Sequence, residues 1–382
     1  MSTNNKSLVA LIPCDNYDEE KVFHSVSKGI ELIGGIDSLI GKDEKILIKP
    51  NLLSGSDPSK AITTNPSVFE AVLRYLREKD YKNITYGDSP SGISNMEEIV
   101  KVTQLKDKAD KYDVKLADFD SYKTVNNPNG HVAKKFSLCN GVIDADAIIS
   151  ISKMKTHALE NITGAIKNQY GCIFMNKKSL GHAKYPNSSI FAQMLIDLNL
   201  YLKPRLYIMD GIIAMEGNGP ASGNPVLMKT LLISKDPVAL DSTFARLVDL
   251  KPEYVPTNVY GDKYKLGNMN FDNICVVTPD GEITIEDAFN KYGNKDFVVN
   301  RNKRSFWSLK ELFHKSKEKK HKPVVDFNLC IACGKCEGAC PVEGKAVHSG
   351  NGKKASYDYS KCIRCYCCQE VCPAKAISRK DN

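Results

Sequence analysis

Residues 330–341 read Cys-Ile-Ala-Cys-Gly-Lys-Cys-Glu-Gly-Ala-Cys-Pro, and residues 362–373 read Cys-Ile-Arg-Cys-Tyr-Cys-Cys-Gln-Glu-Val-Cys-Pro. Both contain C-x2-C-x2-C-x3-C-P, and each cysteine of that pattern returns thirty-two residues later. Asp326-Phe327 and Asp358-Tyr359 share the displacement, while Lys345-Ala346-Val347 returns as Lys375-Ala376-Ile377 after thirty. The last sixty residues are therefore an internal duplication whose first copy carries two extra loop residues.

The spacing has a chemical reason. Three closely spaced cysteines let one tight loop wrap three corners of an iron–sulfur cubane, and in two-cluster ferredoxins the fourth thiolate serves the other cluster. The pattern assigns Cys330, Cys333, Cys336 and Cys372 to one [4Fe–4S] cluster. Cys362, Cys365, Cys368 and Cys340 go to a second. Zinc is the weaker reading, because its usual pattern is two separated CxxC pairs. Cys367 as a ligand would break the repeat, so it reads as a small buried side chain, as do Cys14, Cys139, Cys172 and Cys275. A sixty-residue segment has little apolar surface, so the clusters are expected to hold it together as well.

Working outward, a chain of 382 residues with 42% hydrophobic and 26% charged residues suits a globular protein of more than one domain. It has no run of eighteen apolar residues, so no membrane-spanning helix is expected. Leu8–Ile12, closed by Pro13 and an acidic segment, is too short for a signal peptide, which predicts a cytoplasmic protein. The formal charge is +8. Nine Lys/Arg against two Glu between Arg301 and Lys322 account for +7 of it. The chain divides into an α/β domain at 1–300, a basic linker at 301–322 and the iron–sulfur module at 323–382. In the linker, Trp307, Leu309, Leu312 and Phe313 recur at helical spacing, which predicts an amphipathic helix packed between domains. A nucleic-acid contact is the weaker reading, because charge runs are usually solvated faces.

Residues 1–300 alternate strands and helices. Strands are expected at Lys45–Lys49, Asn83–Gly87, Ala147–Ile151, Arg205–Met209, Thr230–Ser234 and Ile274–Thr278. Helices are expected at Ser67–Glu78, Met96–Leu105, His157–Tyr170, Ser188–Leu202 and Pro237–Val248, the last with Asp236 as N-cap and Pro237 at its first position. Such alternation means an α/β fold with a mostly parallel sheet, followed by a small α+β ferredoxin-like domain. Ligands of such sheets bind beyond the carboxyl ends of the strands.

Those ends carry Lys49-Pro50-Asn51, Gly87-Asp88-Ser89-Pro90-Ser91-Gly92, Lys153-Met154-Lys155-Thr156-His157 and Asp210-Gly211. With a helix starting at His157, Lys153, Lys155, His157, Lys167 and Asn168 would line one pocket, its lysines solvated, for a small carboxylate or phosphate. His157 would exchange a proton near neutral pH. The turn Glu216-Gly217-Asn218-Gly219 offers backbone amides to an anion, or is a plain surface turn. No GxGxxG, GxxxxGK[ST] or HExxH motif occurs.

These stretches, with Lys167-Asn168, Met215-Glu216-Gly217-Asn218-Gly219-Pro220 and Asp236-Pro237-Val238-Ala239-Leu240-Asp241, resemble the iron–sulfur proteins of domain-of-unknown-function family 362 joined to a two-cluster ferredoxin module. The resemblance spans nearly the whole chain and implies a cytoplasmic protein, without supplying a reaction. Two functions are compatible with the residues. One is an oxidoreductase relaying electrons between a redox partner protein and a small anionic substrate or second redox group in the α/β domain. The other is an electron carrier or docking protein with no substrate of its own.

Overall fold

A computed structural model describes residues 6–90, 95–302 and 321–380. The proposed linker helix with Trp307, Leu309, Leu312 and Phe313, and the loop residues Ser91 and Gly92, lie outside the described residues.

One sheet organises the large domain. Its strand order is Gly281–Ile283, Ile274–Thr278, Ser7–Pro13, Asn224–Ser234, Leu206–Glu216, Ala147–His157, Ile46–Pro50, Ile84–Tyr86 and Lys115–Leu116. The five strands from Leu206–Glu216 to Lys115–Leu116 are parallel neighbours. Asn224–Ser234 runs against them, and Gly281–Ile283 closes the far edge antiparallel. The architecture is the expected mostly parallel α/β fold. Strand residues alternate between its faces, as a period of two requires. Ile46, Ile48, Ile149 and Ile151 join one apolar core, whereas Leu47 and Ile148 join another across the sheet. Both faces are covered, which is why these strands read as continuous apolar runs.

The helices begin where the sequence supplies caps. Asn65 and Asn187 accept from backbone amides at the starts of Pro66–Glu78 and Ser188–Leu202. The Asp236 carboxylate accepts from Val238 and Ala239 at the start of Pro237–Leu247.

Three expectations change. Leu8–Ile12 is the core of a sheet strand, Ser7–Pro13. The helix expected over Met96–Leu105 divides into Met96–Val102 and Leu105–Lys111, because Gln104 is left-handed at φ 61°. The largest correction concerns His157–Tyr170. The strand Ala147–His157 continues through the lysines, Asn161–Thr163 folds back antiparallel onto it, and the helix is only Ala165–Asn168. Pairing with Leu206–Glu216 extends to Lys155 opposite Met215, so tertiary strand pairing outweighs local helical spacing.

The small module pairs Lys322–Val325 with Ile377–Lys380, and Val347–Gly350 with Lys353–Tyr357. The duplication reaches the backbone. Ala332 and Arg364 are both left-handed (φ 55° and 60°), as are Gly334 and Tyr366 (75° and 64°) and Lys345 and Lys375 (53° each).

Candidate functional site

The cysteines occupy the places the repeat requires. Cys330, Cys333, Cys336 and Cys372 line one cavity. Cys362 has Cys365 and Cys340 as near neighbours, and Cys368 lies beside Cys362 and Cys365. The Ala355 amide donates to Cys330 Sγ at 3.4 Å and the Ala346 amide to Cys340 Sγ at 3.3 Å. The Tyr357 hydroxyl donates to Cys368 Sγ at 3.1 Å. Such donors support thiolate sulfur and tune a cluster's potential. Cys368 packs in the module's core with Cys336 and Cys340, while Cys367 lies beside Tyr170 of the large domain. Among the described residues no three His, Cys, Asp or Glu side chains converge as a single metal ion would need.

At the carboxyl ends of the parallel strands, the lysines are buried rather than solvated. Because they lie on a strand, Lys153, Lys155 and His157 share one face by the period of two, not by a helical repeat. Lys153 faces Asp210 across the sheet, Nζ to Oδ2 at 2.8 Å, and donates to the Tyr17 hydroxyl at 2.9 Å. Tyr17 in turn donates to Asp210 Oδ1 at 2.8 Å. That lysine is a structural ion pair. Lys155 donates to Asn51 Oδ1 at 2.8 Å and to the Ile62 carbonyl at 2.7 Å, with no carboxylate partner among the described residues. Burial, with Lys167 nearby, pushes its ammonium well below the usual lysine range. Lys49 pairs with Asp88 at 2.8 Å and donates to Asn168 Oδ1 at 3.0 Å. Gly171 backs that pair, where a side chain would take the space of Asp88 and Lys49. Lys167 is half-buried at the end of Ala165–Asn168.

A family model for the domain of unknown function DUF362 matches residues 46–246, more than half of the sequence. The chain belongs to the DUF362 family. A 4Fe-4S dicluster domain matches residues 322–373, so the C-terminal module is a ferredoxin-type iron–sulfur domain. The thylakoid-associated protein sll1697 of Synechocystis sp. is 30% identical over 257 residues, covering 65% of this chain and 77% of that protein. Two solved structures are similar at lower levels. The lactate racemase apoprotein of Thermoanaerobacterium thermosaccharolyticum is 12% identical with a TM-score of 0.43, over 63% of this chain and 57% of that one. A Thermotoga maritima protein is 16% identical with a TM-score of 0.37, over 61% and 58%. The chain thus spans less than two thirds of the length of either solved protein. No helix among the described residues is long and apolar enough to cross a membrane.

The DUF362 strand ends and the second cysteine loop form one joint. His157 Nδ1 accepts from the Leu159 and Glu160 amides, each at 3.1 Å, so the ring proton sits on Nε2 and is donated to Glu370 Oε1 at 2.9 Å. Burial, reinforced by Lys167, holds His157 down at about 3. Burial pushes Glu370 upward, but Lys167 and the His157 hydrogen bond outweigh it and keep the carboxyl ionised. His157 is thus a neutral donor at physiological pH, not the proton exchanger its unperturbed range predicts. The turn at Glu216–Gly219 is neither an anion nest nor free surface. Asn218 Nδ2 donates to the Ile377 carbonyl at 3.0 Å, and Gln369 Nε2 donates to Asn218 Oδ1 and to the Gly219 carbonyl. Arg379 donates to the Ala158 carbonyl at 2.7 Å.

Sequence reasoning missed the partners supplied by the iron–sulfur loop, Gln369 and Glu370. It also missed His182 and Lys178 on the helix Met175–Lys184. Lys178 donates to the Ser89 and Pro90 carbonyls. Nothing in the local sequence marks these residues, because their partners lie far away in the chain: Glu370 is 213 residues from His157, and Lys178 is 89 and 88 residues from Ser89 and Pro90.

Proposed function

We propose that this DUF362 protein is an iron–sulfur oxidoreductase in which two [4Fe–4S] clusters pass single electrons between a redox partner protein and the DUF362 strand ends. The observation that carries this reading is the asymmetry of the cysteine module. The second loop is buried against the DUF362 domain from Cys365 to Gln369, with Glu370 bonded to His157. The first loop faces outward, with Cys333, Leu329 and Ile331 exposed. One cluster would thus meet an external partner and the other the strand ends. Cys330, Cys333, Cys336 and Cys372 would hold the outer cluster, and Cys362, Cys365, Cys368 and Cys340 the inner one. The clusters supply one-electron chemistry. The chain's own residues position them and exclude water. Lys155 and Lys167 favour a small anionic substrate or a reduced second redox group. A cytoplasmic setting fits thirteen cysteines, none of them in a disulfide.

A second reading has its own support. Lys153 and Lys155 are already satisfied by protein groups, as expected of a rigid platform in an electron carrier. An anaerobic screen of the dithionite-reduced holoprotein against small carboxylates and phosphorylated compounds separates the two. Reoxidation of the cluster absorbance by one class of compound supports the enzyme. Reoxidation by carrier proteins alone supports the platform.

A further inference from the structure

Protein groups fill the strand ends around Lys153 and Lys155, but a groove opens at the same edge of the sheet, beyond the end of Ser7–Pro13. That strand runs antiparallel to Asn224–Ser234, which itself runs antiparallel to Leu206–Glu216. Pro13 therefore lies at the carboxyl edge, where sheets of this kind bind ligands. The groove measures about 700 Å³, within the roughly 300–1,000 Å³ of small-molecule sites. Its walls come from the loop after Pro13, the helix Glu19–Leu32, the strand Asn224–Ser234 and the end of the helix Ile285–Tyr292. Cys14 lines it, and Tyr17 of the same loop donates to Asp210, so one loop joins the groove to the Lys153–Asp210 pair.

The lining sets four basic side chains, Lys21, His24, Lys229 and Lys291, against one carboxylate, Asp15. Asp15 lies 3.2 Å from Lys21, and Lys291 has Asp280 at 3.6 Å, with all four side chains exposed. Exposed pairs of this kind contribute little and exchange readily. His24 and Lys229, both exposed, have no carboxylate within ion-pairing distance among the described residues. Leu227, Met228 and Tyr292 supply an apolar side, and Leu227 is 55% exposed. Regular strand alternation would turn one of Leu227, Met228 and Lys229 away from a shared groove. A β-bulge between Leu227 and Thr230, with Lys229 left-handed at φ 55°, lets all three line it. The Cys14 amide fixes the bulge by donating to the Lys229 carbonyl at 2.8 Å.

We propose that this groove binds an organic phosphate monoester. Lys229, His24 and the neighbouring lysines hold the phosphate, while Leu227, Met228 and Tyr292 contact the organic body. A phosphate group carries about −1.5 to −2 charges near pH 7, which answers several cations better than one carboxylate does. The apolar side and the size of the groove favour an ester over the inorganic ion. The site goes beyond the oxidoreductase reading and does not depend on it.

The test is anaerobic calorimetry of the full-length holoprotein with flavin mononucleotide, adenosine monophosphate and glucose 6-phosphate. Inorganic phosphate and the unphosphorylated riboflavin, adenosine and glucose serve as comparisons. At least one ester should bind more tightly than both its unphosphorylated form and inorganic phosphate. His24→Gln and Lys229→Gln should each weaken that ester about ten- to a hundredfold. Leu227→Asp should weaken it as well, by placing a negative charge at the lip. Lys60→Ala, exposed and outside the groove, should leave the affinity unchanged. Binding of none of the three esters overturns the proposal. So does equal binding of the unphosphorylated form or of inorganic phosphate, or unchanged affinity in His24→Gln and Lys229→Gln. If the bulge does not tolerate Lys229→Gln, His24→Gln and Leu227→Asp decide. Absence of iron and sulfide from the wild-type protein would defeat the oxidoreductase reading and leave this binding result standing.

Discussion

His157 and Glu370 lie 213 residues apart in the chain and meet at 2.9 Å, Nε2 to Oε1. One ends a strand of the DUF362 domain, and the other sits between the cysteines Cys368 and Cys372. Because two backbone amides occupy His157 Nδ1, the ring can be satisfied only by an acceptor at Nε2. Glu370→Ala leaves that donor buried and unpaired, at a cost of about 1.5–3 kcal/mol. Glu370→Gln keeps an acceptor and should cost less. A double-mutant cycle with His157→Phe in denaturant melts reads the coupling directly. A coupling near zero would mean that the joint is held by the Asn218–Gln369 contacts instead.

Lys153 should behave as a structural residue. It is enclosed with Asp210, and removing one member of a buried pair typically costs about 3–5 kcal/mol. Lys153→Ala should therefore lower the melting temperature sharply. Lys60→Ala, at an exposed position, should leave it unchanged. A Lys153→Ala protein with wild-type stability would show that Asp210 is satisfied by Tyr17 and the Asn65 amide alone.

The cysteine assignment makes a paired prediction. Protein purified without oxygen should carry about eight iron and eight sulfide per chain. Cys367→Ser should keep that content, since the repeat puts Cys368 rather than Cys367 at the ligand position and Tyr357 donates to Cys368 Sγ, whereas Cys368→Ser should lose or convert one cluster. Elemental analysis with electron paramagnetic resonance of the reduced protein checks both halves. Iron loss confined to Cys367→Ser would reverse the ligand assignment.

Stability should fall as the solution becomes mildly acidic. His157 and His182 are held near 3 and 4, against 6.5 when unfolded, so below about 6.5 the unfolded chain takes up protons that the folded one refuses. Each contributes a loss of about 1.4 kcal/mol per pH unit, beginning near 6.5 and ending near its folded value. Denaturant melts at about pH 7 and about pH 5.5 measure the slope. His182→Phe should flatten it, and an unaltered slope would show that His182 titrates normally.

Much of this was legible in the residues. The cysteine repeat names eight sulfur positions because ligand spacing is a local property of one loop. The apolar runs and caps located the helices Ser188–Leu202 and Pro237–Leu247 within a residue or so and found each principal strand, but Ala147–His157, Leu206–Glu216 and Asn224–Ser234 run six or seven residues beyond the expected bounds. The stretch from Lys153 to Gly171 was the exception. It contains Ala, Leu, Glu and Ile in plausible helical order, but the neighbouring strand Leu206–Glu216 pairs with it as far as Lys155, and Asn161–Thr163 folds back to pair with Lys155 to His157.

The sequence by itself determined the sheet class, the duplicated module and the clustering of lysines after one strand. Each of these follows from local spacing or from alternation along a single segment. Only the tertiary structure decided what the lysines do: Lys153 is spent on Asp210, Lys155 on Asn51 and the Ile62 carbonyl, and Lys167 has no ion pair among the described residues. It also decided that Glu216–Gly219 is a docking turn and that Glu370, a residue between two cysteines, completes the histidine. A side chain's charge state depends on burial and on partners from distant segments, and neither is encoded in the residues beside it.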